Sequence, residues 1–254
     1  LQGASALFAA NGRVSRTDWG SYVGGLQLDR DLPGIQGTGF ALMVRPEQRH
    51  AHEASVRSEG FPSYHIHPEG VREIYSSIVY MEPFGGRNLR AFGYDMYSDP
   101  VRREAMERAR DTGKLALSGR VILVQEVDSG IQPGFLMYLP IYHGPASDTL
   151  ARRASLHGFV FSPFRAHDMI SGLFAEVPRE VEIELFDHTP ELENLLFSTL
   201  TGTHTPHFVT ALNIEFGGRT WVARFSSNPY FESDAQSVEA PLILITGIAV
   251  GLML

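Results

Sequence analysis

The sequence has no cysteine among its 254 residues. This absence excludes disulfide frameworks, thiolate metal sites and cysteine nucleophiles. The chain also has no excess of positive charge, because 21 lysine and arginine residues stand against 29 aspartate and glutamate residues and give a net charge of −8. A nucleic-acid-binding protein presents a basic face to the phosphates, so the charge balance argues against a nucleic-acid partner.

The motifs of the common catalytic classes are missing as well. The sequence contains no G-x-S-x-G, no S-x-x-K and no H-E-x-x-H, which are signatures of serine nucleophiles and zinc hydrolases. The glycines of PGIQGTG (33–39) precede a predicted strand rather than a phosphate-binding helix N-terminus. His65 and His67 could share one face of a strand, but no third ligand follows at a spacing typical of zinc sites. We therefore predict a non-catalytic domain without metal or cofactor, and a hydrolase is the least favoured interpretation.

The C-terminal run PLILITGIAVGLML (241–254) carries no charge. A full membrane span needs about 20 apolar residues, so this run predicts the start of a transmembrane helix, with a buried C-terminal helix or strand as the alternative. Gly247 and Gly251 have the G-x-x-x-G spacing of membrane-helix contacts, and aromatic residues precede the run, as at a bilayer surface. We therefore expect residues 1–240 to form a soluble domain that is tethered to a membrane.

Helix-start and helix-stop residues divide the first part of the chain. Ser15 and Asp18 form a predicted capping box for the second of two N-terminal helical pieces. Asp99 is a strong N-cap, Pro100 suits the first helical position and Gly113 suits the end of that helix. Its predicted apolar stripe consists of Val101, Ala105, Met106 and Ala109. Strands are predicted at 37–44, 64–67, 74–81, 115–117, 120–124 and 134–142, and a further helix at 47–59.

A segment of small and polar residues, HGPASDTLARRAS (143–155), separates two similar halves. After it we predict a strand at 156–164, a helix from 165 to about 174, a strand at 181–187 and a hairpin around Gly217-Gly218, which suit a tight turn. A strand, a helix and then antiparallel strands therefore occur once on each side. This order predicts an α+β fold in which each half is a small antiparallel sheet with helices on one face.

One carboxylate has an environment unlike the others. Asp95 is flanked by Phe92, Tyr94 and Tyr97, and it does not serve as the N-cap, because Asp99 fills that position. A carboxylate among aromatic residues needs hydrogen-bond donors, and a ligand N–H can be such a donor. The alternative interpretation is an aspartate that only stabilises a local turn.

Several sequence blocks, taken in order, resemble the CHASE domain. This domain is an extracytoplasmic sensory module of membrane histidine kinases and cyclases, and the plant cytokinin receptors are among the proteins that contain it. The blocks are GIQGTGFALMV, YMEP, NLRAFGYDMYSDPVRREAMERARDTGKLALSG, PGFLMYLPIY and HGFVFSPFR. The resemblance extends from about Leu7 to Arg165 and, more weakly, to Phe225. The GFVFSPFR block looks like the bacterial branch of the family.

The resemblance implies a long N-terminal stalk helix followed by two PAS-like antiparallel sheets in tandem. On this basis we expect the stalk helices in residues 1–36, a membrane-distal sensor subdomain in 37–142, a linker in 143–155 and a membrane-proximal subdomain in 156–240. The start of a transmembrane helix then follows in 241–254.

The resemblance also implies a ligand site in the distal subdomain. In the plant receptors the aspartate of the corresponding D-M dipeptide, here Asp95, binds ring nitrogens of an adenine-type hormone. A leucine after the following helix, here Leu117, contributes backbone contacts, and the strands at 120–125 and 134–142 form the pocket floor. The resulting ligand-binding residues are Asp95, Leu117, Tyr80, Phe92, Met96, Gln125, Phe135 and Tyr138. The stretch ILVQEVDSG differs from the plant receptors, so the identity of the ligand stays open.

The function that follows is the ligand-sensing domain of a transmembrane receptor, most readily a sensor histidine kinase of a two-component system. We expect a small-molecule ligand, for example a planar nitrogen heterocycle such as an adenine derivative, and a homodimer. The domain would lie in the periplasm or extracellular space, anchored in the cell inner membrane. One alternative is the sensor of a membrane diguanylate cyclase or phosphodiesterase. Another is a ligand-free dimerisation module, suggested by the apolar stripe of Leu1, Ala4, Leu7 and Phe8.

Overall fold

The computed structural model describes residues 1–28, 33–126, 130–173, 181–200 and 202–235. Within these residues the chain forms two antiparallel sheets with helices packed against them, so the predicted α+β class is confirmed. No helix in the described ranges combines the length and the apolar character that crossing a bilayer requires. The predicted start of a transmembrane helix at 241–254 lies outside the described residues.

The first sheet contains the longest strands of the described chain. Its strands are β1 (Thr38–Val44), β2 (Tyr75–Glu82), β3 (Ala116–Leu117), β4 (Val121–Ile122), β5 (Pro133–Tyr142) and β6 (Leu156–Arg165). Their order across the sheet is β2-β1-β6-β5-β3, and β4 also pairs with β5. The predicted strand at 64–67 is wrong, because His67 forms only an isolated bridge with Tyr94 in this described stretch.

Strand β6 belongs to the first sheet. The predicted membrane-proximal subdomain begins at residue 156, whereas β6 pairs with β1 on one side and with β5 on the other. Seven consecutive residues of β6 are buried, as expected of a strand that is covered on both faces. The predicted linker 143–155 also contains a helix, α5 (Thr149–Ser155), which Asp148 caps by accepting a hydrogen bond from Ala151 N at 2.9 Å.

One face of the first sheet is covered by α4 (Pro100–Thr112). Its predicted signals are confirmed: the Asp99 side chain accepts hydrogen bonds from the first-turn backbone, and Gly113 ends the helix in the left-handed conformation, with φ 70°. The helix packs into the main core together with β2, β5 and β6, where Met106, Tyr138 and Phe159 are fully buried.

The opposite face is covered at one end by two short N-terminal helices, α1 (Gln2–Asn11) and α2 (Arg16–Gly25). The predicted long stalk helix is therefore not seen in the described residues. Gly12 ends α1 with φ 62°, and the predicted Ser15–Asp18 capping box starts α2 anew. In the apolar stripe proposed for dimerisation, Ala4 and Phe8 are buried against the chain's own sheet.

A third helix, α3 (Arg49–Ser58), follows a 3-10 turn at Pro46–Gln48. It fixes the loop that leads toward β2, because the buried Glu53 carboxylate accepts a hydrogen bond from Ile66 N at 3.0 Å. The same carboxylate binds Arg49 Nε at 3.0 Å.

The second sheet consists of β7 (Val181–Asp187), β8 (Leu195–Ser198), β9 (Val209–Phe216) and β10 (Arg219–Ser227), in the order β8-β7-β10-β9. Its neighbouring helices are α6 (Ala166–Leu173) and α7 (Pro229–Ala235). The predicted hairpin is confirmed, since Gly217 and Gly218 form the turn between β9 and β10 with φ 57° and 74°. Both glycines occupy the left-handed region that a tight two-residue turn requires.

One apolar cluster and one buried carboxylate connect the two sheets. Phe135 and Phe164 of the first sheet pack with Trp221 of the second. The Asp187 carboxylate at the end of β7 accepts two hydrogen bonds from Arg219, at 2.7 and 2.8 Å, and one from the backbone N of Arg120 at 2.8 Å. Asp187 is buried, so it joins the loop after β3 to the second sheet.

Candidate functional site

Asp95 begins the short 3-10 turn Met96–Ser98 that leads into α4. Its side chain is completely buried. Oδ1 accepts hydrogen bonds from Ser76 N on β2 at 2.8 Å and from Tyr97 N at 3.1 Å. Asp95 is thus the cap of the turn that precedes α4, and it ties this turn to β2.

The second carboxylate oxygen of Asp95 lies 3.2 Å from Nε of Arg72. This is an ion-pair distance, but Oδ2 accepts no aligned hydrogen bond from any described residue. Burial raises the pKa of Asp95, while the hydrogen bond from Ser76 and the charge of Arg72 act in the opposite direction. The observed contacts are those of the turn-stabilising alternative, and Oδ2 is the acceptor that a ligand donor could use.

A small void lies beside this turn, between α4, β2 and the chain around β4. Its volume is about 10 Å³, and Met96, Arg102 and Gln125 line it together with apolar side chains such as Ile78 and Phe161. A void of this size holds roughly one water molecule. Two of the predicted ligand-binding residues, Met96 and Gln125, therefore meet at one place, and Asp95 itself does not line the void.

Two polar side chains, one lining the void and one in the same core, have weak or missing partners. Gln125 is 5% exposed and donates a long hydrogen bond of 3.4 Å to Asn88 Oδ1. The Tyr138 hydroxyl, in the same core, has no hydrogen-bond partner among the described residues. Burial raises the pKa of Tyr138, so the hydroxyl stays protonated. Buried polar atoms are normally paired, so this hydroxyl is an available donor and acceptor inside the core.

Arg102 is a lining residue that the sequence analysis missed. Its guanidinium is buried and donates to the Tyr94 hydroxyl at 3.0 Å and to the Ile122 carbonyl at 2.9 Å. Val101 was predicted to lie in the apolar stripe of α4, but its side chain is 37% exposed. The buried residues are Arg102, Ala105, Met106 and Ala109, whose i, i+3, i+4, i+7 spacing was the signal available in the sequence.

Two other predicted site residues lie on the far side of the first sheet. The Tyr80 hydroxyl donates to the Val14 carbonyl at 2.8 Å, and the Tyr80 ring stacks on Trp19. Phe92 packs on Phe61 with a ring separation of 5.0 Å. Tyr80 lies on this side because the pairing of β1 with β2 is irregular: Phe40 faces Tyr80, but the next residue, Ala41, faces Ile78. One residue of β2 between Ile78 and Tyr80 is therefore left over in the pairing, and it shifts the alternation of side chains along β2.

Leu117 and Phe135 lie in the cluster between the two sheets. Leu117 N donates to the Gly217 carbonyl of the second-sheet turn at 2.9 Å. On β5, Phe135 and Tyr138 are three positions apart, which places them on opposite faces of a strand. The predicted ligand-binding residues are therefore distributed over three places rather than gathered in one pocket.

A larger cleft of about 370 Å³ lies on the face covered by α1 and α2. Tyr80 lines it together with Arg13, Arg16, His143 and His157. The rings of His143 and His157 are 3.8 Å apart. Burial, and secondarily His143, lowers the pKa of His157 to about 4, so this imidazole is neutral at pH 7.

The comparison with protein families gives one result that spans most of the chain. The family model of the CHASE domain matches residues 12–197. This range includes the whole first sheet, the Asp95 turn, the void, β7 and all but the last residue of β8. A comparison with curated proteins gives no match.

Proposed function

Because the chain belongs to the CHASE domain family of membrane-receptor sensory domains, we propose that its first-sheet half binds a small molecule outside the cytoplasm. The receptor we propose is a sensor histidine kinase of the cell inner membrane, with this domain in the periplasm. The bound state would be passed through the second sheet to a transmembrane helix that begins near Pro241. A ligand shifts such an equilibrium only by its differential affinity for the two states.

The observation that supports the site is the unpaired Tyr138 hydroxyl in the core that borders the void. A ligand that brings a donor or an acceptor into this core would satisfy it, and Gln125 and Arg102 supply further polar atoms at the void. Ligand sites usually measure about 300–1,000 Å³, so binding requires the wall to move. The segment at Gln125, which forms one side of the void, follows β4, a strand of only two residues. Because so short a strand has few hydrogen bonds to its neighbour, we expect this side of the void to move.

In this proposal Asp95 supplies the polar anchor. Its Oδ2 accepts no aligned hydrogen bond, whereas Oδ1 is occupied by two backbone N–H groups. A planar nitrogen heterocycle with N–H donors, such as an adenine derivative, would complement Oδ2, and a charge-assisted hydrogen bond of this kind contributes about 1.5–3 kcal/mol. Met96, next in the chain, would contact the ring from the void side.

A ligand-free dimerisation module is the less favoured alternative. Its motivation was the stripe of Ala4 and Phe8, which the chain uses to cover its own first sheet. In the second alternative, the sensor of a membrane diguanylate cyclase or phosphodiesterase, the ligand would bind in the same way but would regulate a different cytoplasmic enzyme. The ligand-free dimerisation module gives no reason for an unpaired hydroxyl inside the core.

The test is a thermal-shift screen with adenine, N6-substituted adenines and other planar nitrogen heterocycles. It compares the wild-type chain with Tyr138→Phe and Asp95→Asn. The control is Tyr230→Phe, which makes the same chemical change at a 64% exposed position. We expect at least one compound to raise the Tm of the wild type and of the control. In the two site variants the apparent Kd for that compound should rise by about tenfold or more, because a lost bond of 1.4 kcal/mol is a tenfold change.

Equal binding to all four proteins would show that the ligand site lies elsewhere. In that case Arg13→Gln, at the exposed rim of the larger cleft, would show whether the cleft is the site. If no compound of this class binds the wild type, the proposed ligand class is wrong.

A further inference from the structure

An exposed apolar surface lies where the described chain ends. Phe208 directly precedes β9, Val209 is the first residue of β9, and Tyr230 and Phe231 lie in the first turn of α7. Their exposed fractions are 62%, 57%, 64% and 37%. We call these four residues the aromatic patch. Single exposed apolar residues are common, but contiguous exposed groups of large ones usually mark a contact with a partner or a membrane.

The aromatic patch is held in place by ordered contacts. The rings of Phe208 and Phe231 meet edge to face at 6.2 Å. The Glu232 carboxylate accepts hydrogen bonds from His207 N at 2.7 Å and from the Ser227 hydroxyl at 2.5 Å. The start of α7 is therefore bound to the loop before β9, and the patch is a built surface with an apolar cavity of about 550 Å³ between its parts.

The aromatic patch lies close in the chain to the uncharged run that is predicted to enter the membrane. Five residues separate Ala235, the end of α7, from the uncharged run that begins at Pro241. Six residue steps span at most about 22 Å, at up to 3.6 Å per residue. Phe231 is four helical positions before Ala235, which adds about 6 Å. If Pro241 enters the bilayer, the patch is thus within about 28 Å of the hydrocarbon boundary.

We propose that the aromatic patch rests in the headgroup layer of the membrane. This inference rests on the proposed function, because it requires that the run 241–254 enters the bilayer. Tyrosine and other amphipathic rings are enriched at this depth, where one end of the side chain is apolar and the other is hydrated. The docked patch would hold the second sheet at a fixed orientation to the membrane. A shift of the first sheet would then change its position relative to the membrane while the second sheet stays in place.

The charges around the patch indicate which lipids it contacts. Glu232 lies beside His207 at the patch, and no lysine or arginine lies between 225 and 254 in the sequence. Anionic lipids attract basic segments, so this surface gains nothing from them. The contact therefore depends on apolar burial, and it should persist in zwitterionic phosphatidylcholine and at high salt.

The absence of cysteine makes a direct test possible. Single cysteines for nitroxide labels are introduced into the full-length receptor, in a cysteine-free background, by Phe208→Cys and Phe231→Cys. Two further labels serve as references. Val71→Cys lies in the first half of the chain, where the residue is 97% exposed, and Ile248→Cys lies in the uncharged run. The receptor is reconstituted in phosphatidylcholine nanodiscs, and collisions with oxygen, which partitions into lipid, are compared with collisions with a water-soluble nickel chelate.

We expect the labels at Phe208 and Phe231 to show an oxygen-to-nickel ratio at least threefold above that at Val71, at both low and high salt. If the label at Ile248 is in lipid but the patch labels match Val71, the docking inference is wrong and the membrane anchor stands. If the label at Ile248 is also in water, the anchor in the proposed function is wrong. Spin–spin broadening between patch labels, without increased oxygen collisions, would assign the patch to a second copy of the chain and overturn the membrane contact.

Discussion

Asp187, which pairs with Arg219 of its own sheet and accepts a hydrogen bond from Arg120 N beside the first sheet, gives the sharpest prediction about how the two sheets are joined. Asp187→Asn keeps the size of the side chain but places an N–H donor against the N–H groups of Arg219 or Arg120, which now donate to the carboxylate. Removing one partner of a buried pair costs about 3–5 kcal/mol. Because the Arg219 side chain is 21% exposed and water can solvate it, we expect a loss of about 3 kcal/mol in the free energy of unfolding.

The assay is urea unfolding followed by tryptophan fluorescence. The chain has two tryptophans, and both are buried: Trp19 packs against the first sheet and Trp221 lies in the cluster between the sheets. Trp19→Phe and Trp221→Phe backgrounds therefore report each half separately. In Asp187→Asn we expect the Trp221 signal to change at lower urea than the Trp19 signal, since the second sheet loses its attachment first.

The matched control is Asp168→Asn, which removes a carboxylate that is 37% exposed and paired with Arg165. Exposed pairs contribute about 0–1 kcal/mol, so this variant should differ little from the wild type. A loss in Asp187→Asn no larger than in Asp168→Asn would refute the view that Asp187 joins the two halves.

Two further predictions concern stability. Gly217→Ala should lower the Tm, because φ is 57° and a Cβ would lie 2.7 Å from Leu117 Cγ; an unchanged Tm would show that the turn does not press against β3. For His157 the folded pKa of about 4 lies below the ordinary value of 6.5, so the unfolded state binds the proton first. Stability should therefore fall as the pH decreases from about 6.5 to 4, by about 1–2 kcal/mol after allowance for partial exposure. His157→Phe should flatten this pH dependence in urea titrations, and an equally steep profile would assign the effect to another group.

The elements that depend on neighbouring residues could be predicted from the sequence. The capping box at Ser15, the start of α4 at Asp99 and the turn at Gly217-Gly218 are local, since a few residues supply both the signal and the contact. Strand order is a different problem. The residues LHGFVFSPFR do not predict that β6 lies between β1 and β5. Its partners on β1 lie more than 110 residues earlier in the chain, so no local pattern links the two strands.

The candidate site could be predicted only in part for the same reason. Met96 and Gln125 meet because the turn before α4 and the chain after β4 face one core. The side of the sheet on which Tyr80 lies could not be predicted, because the irregularity in the pairing beside it reverses the alternation of side chains along β2. For Phe135 the odd spacing from Tyr138 already excluded a shared pocket wall.

The last residue of β6 is Arg165, and α6 begins at the next residue, Ala166. No loop separates a strand that is hydrogen-bonded along both edges from a helix whose Ile170 is embedded between the sheets. Because no loop intervenes, a tilt of the middle of the first sheet would move α6 with it. Strand β6 and α6 thus form one uninterrupted stretch of backbone between the two sheets, and a flexible insertion at this junction would uncouple a tilt of the first sheet from α6.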